Sequence, residues 1–264
     1  MSQSAGNQYT VGKGRAYFDQ FAPGTRKLSG ERYFGNTPSL SITSSKTTLD
    51  HFSAEGGISI KDSSVDITIN RAGKFATDNV SKENIALFFL GAASSLVQTA
   101  QVGQTESVLM IPGLYYQLGR TIATPSGVRN ITNVTFAAPG TPGTPIAIAG
   151  NFEVDLVRGR VFVEPTAPGL PVSGPVVVTY DIVASTRNIA ISSNQSIYGA
   201  FRFIADNPVG NDIDYFMPYV KLSPEGDYAL KGEKWQEMAF GLDILTLDSQ
   251  TASVYVDGQP GLLF

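Results

Sequence analysis

Along most of the chain, apolar and polar residues alternate with a period of two, the pattern of strands that turn one face to a core. In Ser64-Val-Asp-Ile-Thr-Ile-Asn70, the apolar set Val65, Ile67 and Ile69 alternates with Ser64, Asp66, Thr68 and Asn70. This predicts a half-buried strand with one polar face. Phe152-Glu-Val-Asp-Leu156 repeats the pattern, and Arg158-Gly159 turns the chain into Arg160-Val-Phe-Val163, which predicts a hairpin. Val176 to Val183 is apolar on nearly both faces, as expected of a central sandwich strand. Further strands are predicted at Gly14–Phe18, Ser39–Thr43, Val128–Phe136, Tyr198–Ile204, Asp214–Lys221 and Gln236–Leu245.

One segment departs from this period. Ser81 is a suitable N-cap, Glu83 falls in the first turn, and Gly91 supplies a stop, which together predict a helix over about 81–91. Ile85, Phe88 and Phe89 would form its apolar face, widened by Leu87 and Leu90. Its expected place is against the open end of a sandwich or barrel. Two uncharged clusters, Pro139 to Pro145 and Pro165 to Pro171, lack apolar periodicity and read as loops bracketing the 152–163 hairpin. The expected organisation is therefore a core from residues 1–99 and 188–264, with a β-rich insertion over 100–187. The fold class is mainly β: a β-sandwich or partial barrel with one adjoining helix.

Composition narrows the chemistry. The 264 residues contain no cysteine and a single histidine, His51, which excludes disulfides, thiolate metal sites and cysteine nucleophiles. A net charge of −4 argues against tight DNA binding, which depends on Lys and Arg neutralising phosphates. Only 16% of residues are charged, against the usual quarter, so much of the polar surface is Ser, Thr and Asn, as in surfaces that meet other protein. The first residues show neither a basic n-region nor an apolar h-region, so no secretory signal is expected. No apolar run approaches the roughly 20 residues of a membrane span.

No P-loop, dinucleotide fingerprint or Gly-x-Ser-x-Gly elbow is present. His51 adjoins Asp50, but neighbours in a strand point to opposite faces, so Asp50 would not orient His51 as a catalytic triad requires. Carboxylate pairs such as Asp155 with Glu164, or Asp243 with Asp248, read as solvated strand ends rather than glycosidase acids. Asp206-Asn-Pro-Val-Gly-Asn-Asp212 lacks calcium-loop spacing and reads as a polar turn. No catalytic, cofactor or metal residue is nominated.

Gly14-Arg-Ala-Tyr-Phe-Asp19, Gly30-Glu-Arg-Tyr-Phe-Gly-Asn-Thr-Pro38 and Thr48-Leu-Asp-His-Phe-Ser53 together resemble the opening of the major tail tube proteins of long-tailed, siphovirus-type bacteriophages. The later runs Asn151–Asp155, Val178–Tyr180, Gly199–Ala205 and Leu230–Trp235 are similar to the middle and close of such proteins, so the resemblance covers most of the chain. It implies sandwich subunits that join into hexameric rings around one continuous inner barrel. Stacked rings form the virion's hollow tail, assembled in the bacterial cytoplasm. Implied partners are further copies of the chain, a tape measure protein, tail tip and terminator proteins, and DNA passing through the lumen without specific binding. No enzyme activity, cofactor or membrane is implied.

The resemblance also places the strand leading to the helix in the inner barrel. With Val65, Ile67 and Ile69 turned to their own sandwich, Ser64, Asp66, Thr68 and Asn70 would face the lumen. The polar first residues, Arg26 and Lys27 in the loop Phe21–Leu28, and Arg32 would form ring-to-ring contacts. Two other classes stay open. A receptor- or carbohydrate-binding module would show clustered exposed aromatics, for which Tyr115-Tyr116, the only tyrosine doublet, is the candidate; a β-sandwich hydrolase has no positive feature.

Overall fold

The computed structural model describes residues 9–139, 144–170 and 174–259. The fold is mainly β, with one helix among the described residues. The chain divides into two compact units, one built from residues up to Ser94 and from Ala190 onward, the other from Ser95–Ile189. The boundaries fall inside two strands that pair with each other, β5 (Ala92–Gln98) and β13 (Ser185–Ile191).

The first unit is built on an antiparallel sheet in the order β2-β1-β14-β15-β16-β4-β3, with β17 added beside β15. These strands are β1 (Gly14–Gln20), β2 (Arg32–Tyr33), β3 (Ser39–Ser53), β4 (Ile60–Thr77), β14 (Ile197–Ala205), β15 (Ile213–Glu225), β16 (Met238–Ile244) and β17 (Tyr255–Gly258). Alternation sends Phe18, Phe75, Phe201, Met217, Leu222, Met238, Phe240 and Leu242 to one buried cluster. Phe34 lies in its middle, with ring centroids 4.7 Å from Phe75 and 5.8 Å from Phe240. Each such ring contributes roughly 1.5–3 kcal/mol by leaving water.

The opening sequence motifs are the scaffold of this core. The Asp19 carboxylate is 2% exposed and accepts from the Ser29 and Gly30 backbone N–H groups and the Ser29 hydroxyl, all within 3.0 Å. It thereby ties down the 21–30 loop. Gly35 adopts φ 91°, and a side chain there would collide with Asn79. The Phe34 carbonyl accepts from Asn79 Nδ2 at 3.1 Å and from buried Asn84 Nδ2 at 2.9 Å.

Asn84 belongs to the helix, α1 (Lys82–Phe88), capped by Ser81 Oγ accepting from the Asn84 N–H. The helix is shorter than 81–91 and buries Asn84, Ala86 and Leu87; Ile85 and Phe88 are half-buried and Phe89 is 46% exposed. The stop explains the difference. Leu90, not Gly91, takes the left-handed conformation at φ 53°. The Leu90 N–H then reaches Leu87 O and the Gly91 N–H reaches Ala86 O, closing the end in a Schellman turn.

The second unit is a sandwich. A four-stranded sheet, β6-β12-β8-β9, comprises β6 (Gln101–Val108), β12 (Val176–Ile182), β8 (Ile131–Ala137) and β9 (Pro145–Ile146). A three-stranded sheet, β10-β11-β7, comprises β10 (Phe152–Asp155), β11 (Arg160–Val163) and β7 (Tyr115–Gln117). Val176, Val178, Tyr180 and Ile182 from the first meet Phe152, Val161 and Val163 from the second. The rings of Phe136 and Phe152 stack between them at 3.9 Å. The Tyr180 hydroxyl is pushed to a higher pKa, first by burial and then by Glu106 beside it. β12 is the central strand its sequence predicts, and the 152–163 hairpin forms with Gly159 at φ 63°.

Candidate functional site

Strands β3 and β4 are longer than the sheet they belong to. β16 pairs with β4 only over Arg71–Thr77, whereas β3 follows β4 from Ser39 to Ser53. Beyond Arg71 the two strands continue as a two-stranded ribbon, and nearly all of residues 41–70 are exposed. Among the described residues its outer edges pair with no further strand, since β3 ends the sheet and β16 ends at Ile244, opposite Arg71.

The apolar row of this ribbon overturns one expectation. Val65 is 62%, Ile67 59% and Ile69 63% exposed, so the alternating face is not turned into the subunit's own sandwich. The physical reason is reach: the strand runs past the last residue that β16 can cover. Leu49, opposite Val65, is 64% exposed, and Phe52, Ile58 and Ile60 extend the uncovered surface toward the tip. The bulge at Ile67 puts Ile69 opposite Lys46 and Val65 opposite Leu49, on opposite sides of the ribbon, so each side carries uncovered apolar groups.

Cross-strand ion pairs fix the ribbon's register. Lys46 Nζ lies 3.1 Å from Asp66, Lys61 Nζ 2.6 Å from Asp50, and His51 Nδ1 2.6 Å from Asp62. Asp50 also accepts from the Ser64 hydroxyl at 2.7 Å. The Lys61 bond, then the Ser64 bond, hold the Asp50 carboxyl below its usual 3.8. All these groups are solvent-exposed, so each pair sets geometry more than it stabilises. Register shifts at Thr47/Thr48 and His51/Phe52 mark bulges, which twist and re-aim a ribbon.

The sequence-predicted residues fall as follows. Ser64, Asp66, Thr68 and Asn70 all lie on the ribbon and are exposed, with the Asp66 charge offset by Lys46. Arg26 and Lys27 are exposed, but Arg26 is engaged within its own unit. Its Nη1 donates to Leu247 O at 2.8 Å and its guanidinium covers Tyr219 at 4.7 Å. Arg32 is half-buried over Phe34 at 5.0 Å; burial lowers its pKa, opposed by the charge of Glu83. It packs on the core instead of standing free for a neighbouring ring. The first eight residues lie outside the described residues, as do 140–143 and 171–173 of the Pro/Gly loops.

His51 contacts Asp62 and not Asp50. Asp155 caps the Arg158 turn, accepting from the Arg158 N–H at 2.8 Å and Nη1 at 2.9 Å, and these bonds lower its pKa. Asp212 accepts from the Asn207 N–H, as a polar turn should. Among the described residues no His, Asp and Glu cluster could hold a metal ion, and no helix is long and apolar enough to cross a membrane. Sequence reasoning missed that the strand around Ser64 runs as far as Thr77 and that its pair is left bare. The signal was available in the two strand-like runs on either side of Glu55-Gly56-Gly57, which form strands of 15 and 18 residues, longer than the strands of ordinary sheets.

Fold and surface together define a mainly β protein whose conspicuous feature is an uncovered ribbon. The chain belongs to the family described as protein of unknown function UCP028589, whose model matches residues 9–255. No curated protein matches the chain.

Proposed function

We propose that this chain is a virion structural subunit that polymerises into stacked rings, forming the hollow tail tube of a long-tailed bacteriophage, the conduit for DNA ejection. The reading rests on the tail tube resemblance of the sequence, and one structural observation carries it: the β3–β4 ribbon is two-stranded, open at both edges among the described residues, and bears uncovered apolar side chains on both faces. An isolated two-stranded hairpin is marginal in water. Long bare edges are also aggregation templates unless something pairs with them. A second copy supplies that cover.

Ribbons of successive subunits laid side by side remove each other's edges, as closure does in any barrel. Head-to-tail contacts repeated about an axis close into a ring and leave faces for stacking. The bulge at Ile67 divides the four lumen candidates between two faces: Ser64 and Asp66 share theirs with Lys46 and Asp50, whereas Thr68 and Asn70 share theirs with Thr47 and Ser45. In this arrangement the Ser64 and Asp66 face lines the lumen, and Val65 and Leu49 on the other face pack against neighbouring protein. The Lys46–Asp66 pairing and the hydroxyls make that wall polar but weakly charged, so phosphate is not held in register. A tape measure protein would occupy the lumen during assembly, with tail tip and terminator proteins at the ends. Assembly uses no cofactor.

Negative-stain electron microscopy of the concentrated protein tests this directly. Hollow tubes or stacked rings that persist in chelator are expected. A protein that stays monomeric at every concentration overturns the proposal.

A further inference from the structure

The outer face of the three-stranded sheet in the second unit carries a different kind of surface. Pairing of Glu153 with Phe162, and of Phe162 with Tyr115, sets these three side chains in one cross-strand row. Asp155, Arg160 and Gln117 form the next row. The opposite face, with Phe152, Val161 and Val163, is core. Tyr115 is 59% exposed, and its ring centroid lies 4.5 Å from that of half-buried Phe162. Its neighbour Tyr116 is turned away, with its hydroxyl accepting from the Ile111 N–H at 2.8 Å.

The charges around this aromatic pair are arranged unusually. Asp155 stands directly opposite Arg160, where a cross-strand ion pair is the ordinary outcome. Asp155 instead pairs with Arg158 at 2.9 Å, and the Arg160 guanidinium lies over Tyr115 at 4.7 Å. Among the described residues, neither the Glu153 carboxylate nor the Arg160 guanidinium has a hydrogen bond or an ion pair. A carboxylate beside Phe162 and a guanidinium lying on Tyr115 thus keep their hydrogen-bonding capacity at the rim of an aromatic surface. Tyr115, Glu153, Asp155, Arg158, Arg160 and Phe162 line a shallow cavity of about 280 Å³.

We propose that this cavity is a glycan-binding site that takes a single pyranose ring of a neutral saccharide. A pyranose has an apolar C–H face and a rim of hydroxyls. The face matches the Tyr115–Phe162 surface, where aromatic burial supplies affinity. The rim matches Glu153 as acceptor and Arg160 as donor, both able to bind two neighbouring hydroxyls at once. A peptide adding to the sheet would lie along the outer edge of β7 or β10 and not across this face, and a phosphorylated ligand would meet the carboxylates of Glu153 and Asp155. The inference does not depend on tube formation.

Ligand-observed saturation-transfer NMR on the full chain, with maltotetraose, cellotetraose and tetra-N-acetylchitotetraose as probes, tests it. At least one probe should bind in the millimolar range or tighter. Tyr115→Ala should weaken that binding at least tenfold, and Glu153→Gln and Arg160→Ala several-fold each, with unchanged circular dichroism. Trp235→Ala, a substitution in the other unit, should leave it unchanged. Absence of binding by all three probes overturns the proposal, as does binding that survives Tyr115→Ala and Arg160→Ala together.

Discussion

β12 and the outer half of β4 look alike as sequence and differ in everything that follows from packing. Val176, Val178, Tyr180 and Ile182 alternate along β12 and are all at most 8% exposed. Val65, Ile67 and Ile69 alternate just as cleanly in the sequence of β4, but a bulge at Ile67 turns Val65 and Ile69 to opposite sides, and all three are about 60% exposed. β12 has a strand on each side and a second sheet across its core face; outer β4 has one strand and nothing else. Period two therefore reports a strand that wants cover, while the source of the cover is decided by neighbours in the same chain or in another.

Substitutions on the two strands separate these cases, beginning with the largest effect. Val178→Asp buries an unpaired carboxylate between two sheets and should cost about 4 kcal/mol or more, unfolding the 95–189 unit. Thermal melts followed by near-ultraviolet circular dichroism check this. Asp19→Ala leaves the Ser29 and Gly30 donors without their acceptor and should cost about 1–3 kcal/mol in urea unfolding. Ile67→Asp makes the same kind of change on the ribbon as Val178→Asp makes in the sandwich. It should alter the stability of the dilute monomer by no more than about 0.5 kcal/mol, yet remove assembly in sedimentation velocity. A melt as severe as that of Val178→Asp would place Ile67 in the subunit's own core.

Asp66→Lys reverses one half of an exposed ion pair, worth under about 1 kcal/mol, and should leave tubes intact. DNA ejection through them should slow, most at low salt. The smallest effect is on acidity. Asp50 in the ribbon and Asp155 in the sandwich both have depressed pKa values, so their contributions are complete above the unfolded value near 3.8 and disappear as pH falls through the lower folded values. As pH falls below the unfolded value near 3.8, ribbon amides near Asp50 should exchange faster before the core of either unit opens. Simultaneous loss of both would show that the ribbon is not an independent element.

How much was readable divides along the same line. Strand positions in both units, the Arg158-Gly159 turn and the Ser81 cap were legible, because each rests on local chemistry. The helix end was not: Leu90 accepted a strained conformation that local preference assigns to Gly91. Arg26 and Arg32 looked like free surface charges because nothing in the sequence says that Tyr219 and Phe34 come to lie under them. The Gly14–Asp19 and Gly30–Pro38 motifs, which carried the resemblance, proved to be core scaffolding, with Asp19, Phe34 and Gly35 each fixed by contacts inside the first unit. The aromatic row of Tyr115 and Phe162 needed the strand register, since the two residues are far apart in sequence and adjacent only through pairing.

The central claim is that a second copy of the chain covers the ribbon, and hydrogen–deuterium exchange across residues 41–70 at rising protein concentration tests it most directly. The account predicts that these amides exchange fast in dilute protein and become protected as assemblies form, while amides of β12 are protected throughout. Ribbon amides that exchange equally fast at every concentration would contradict it.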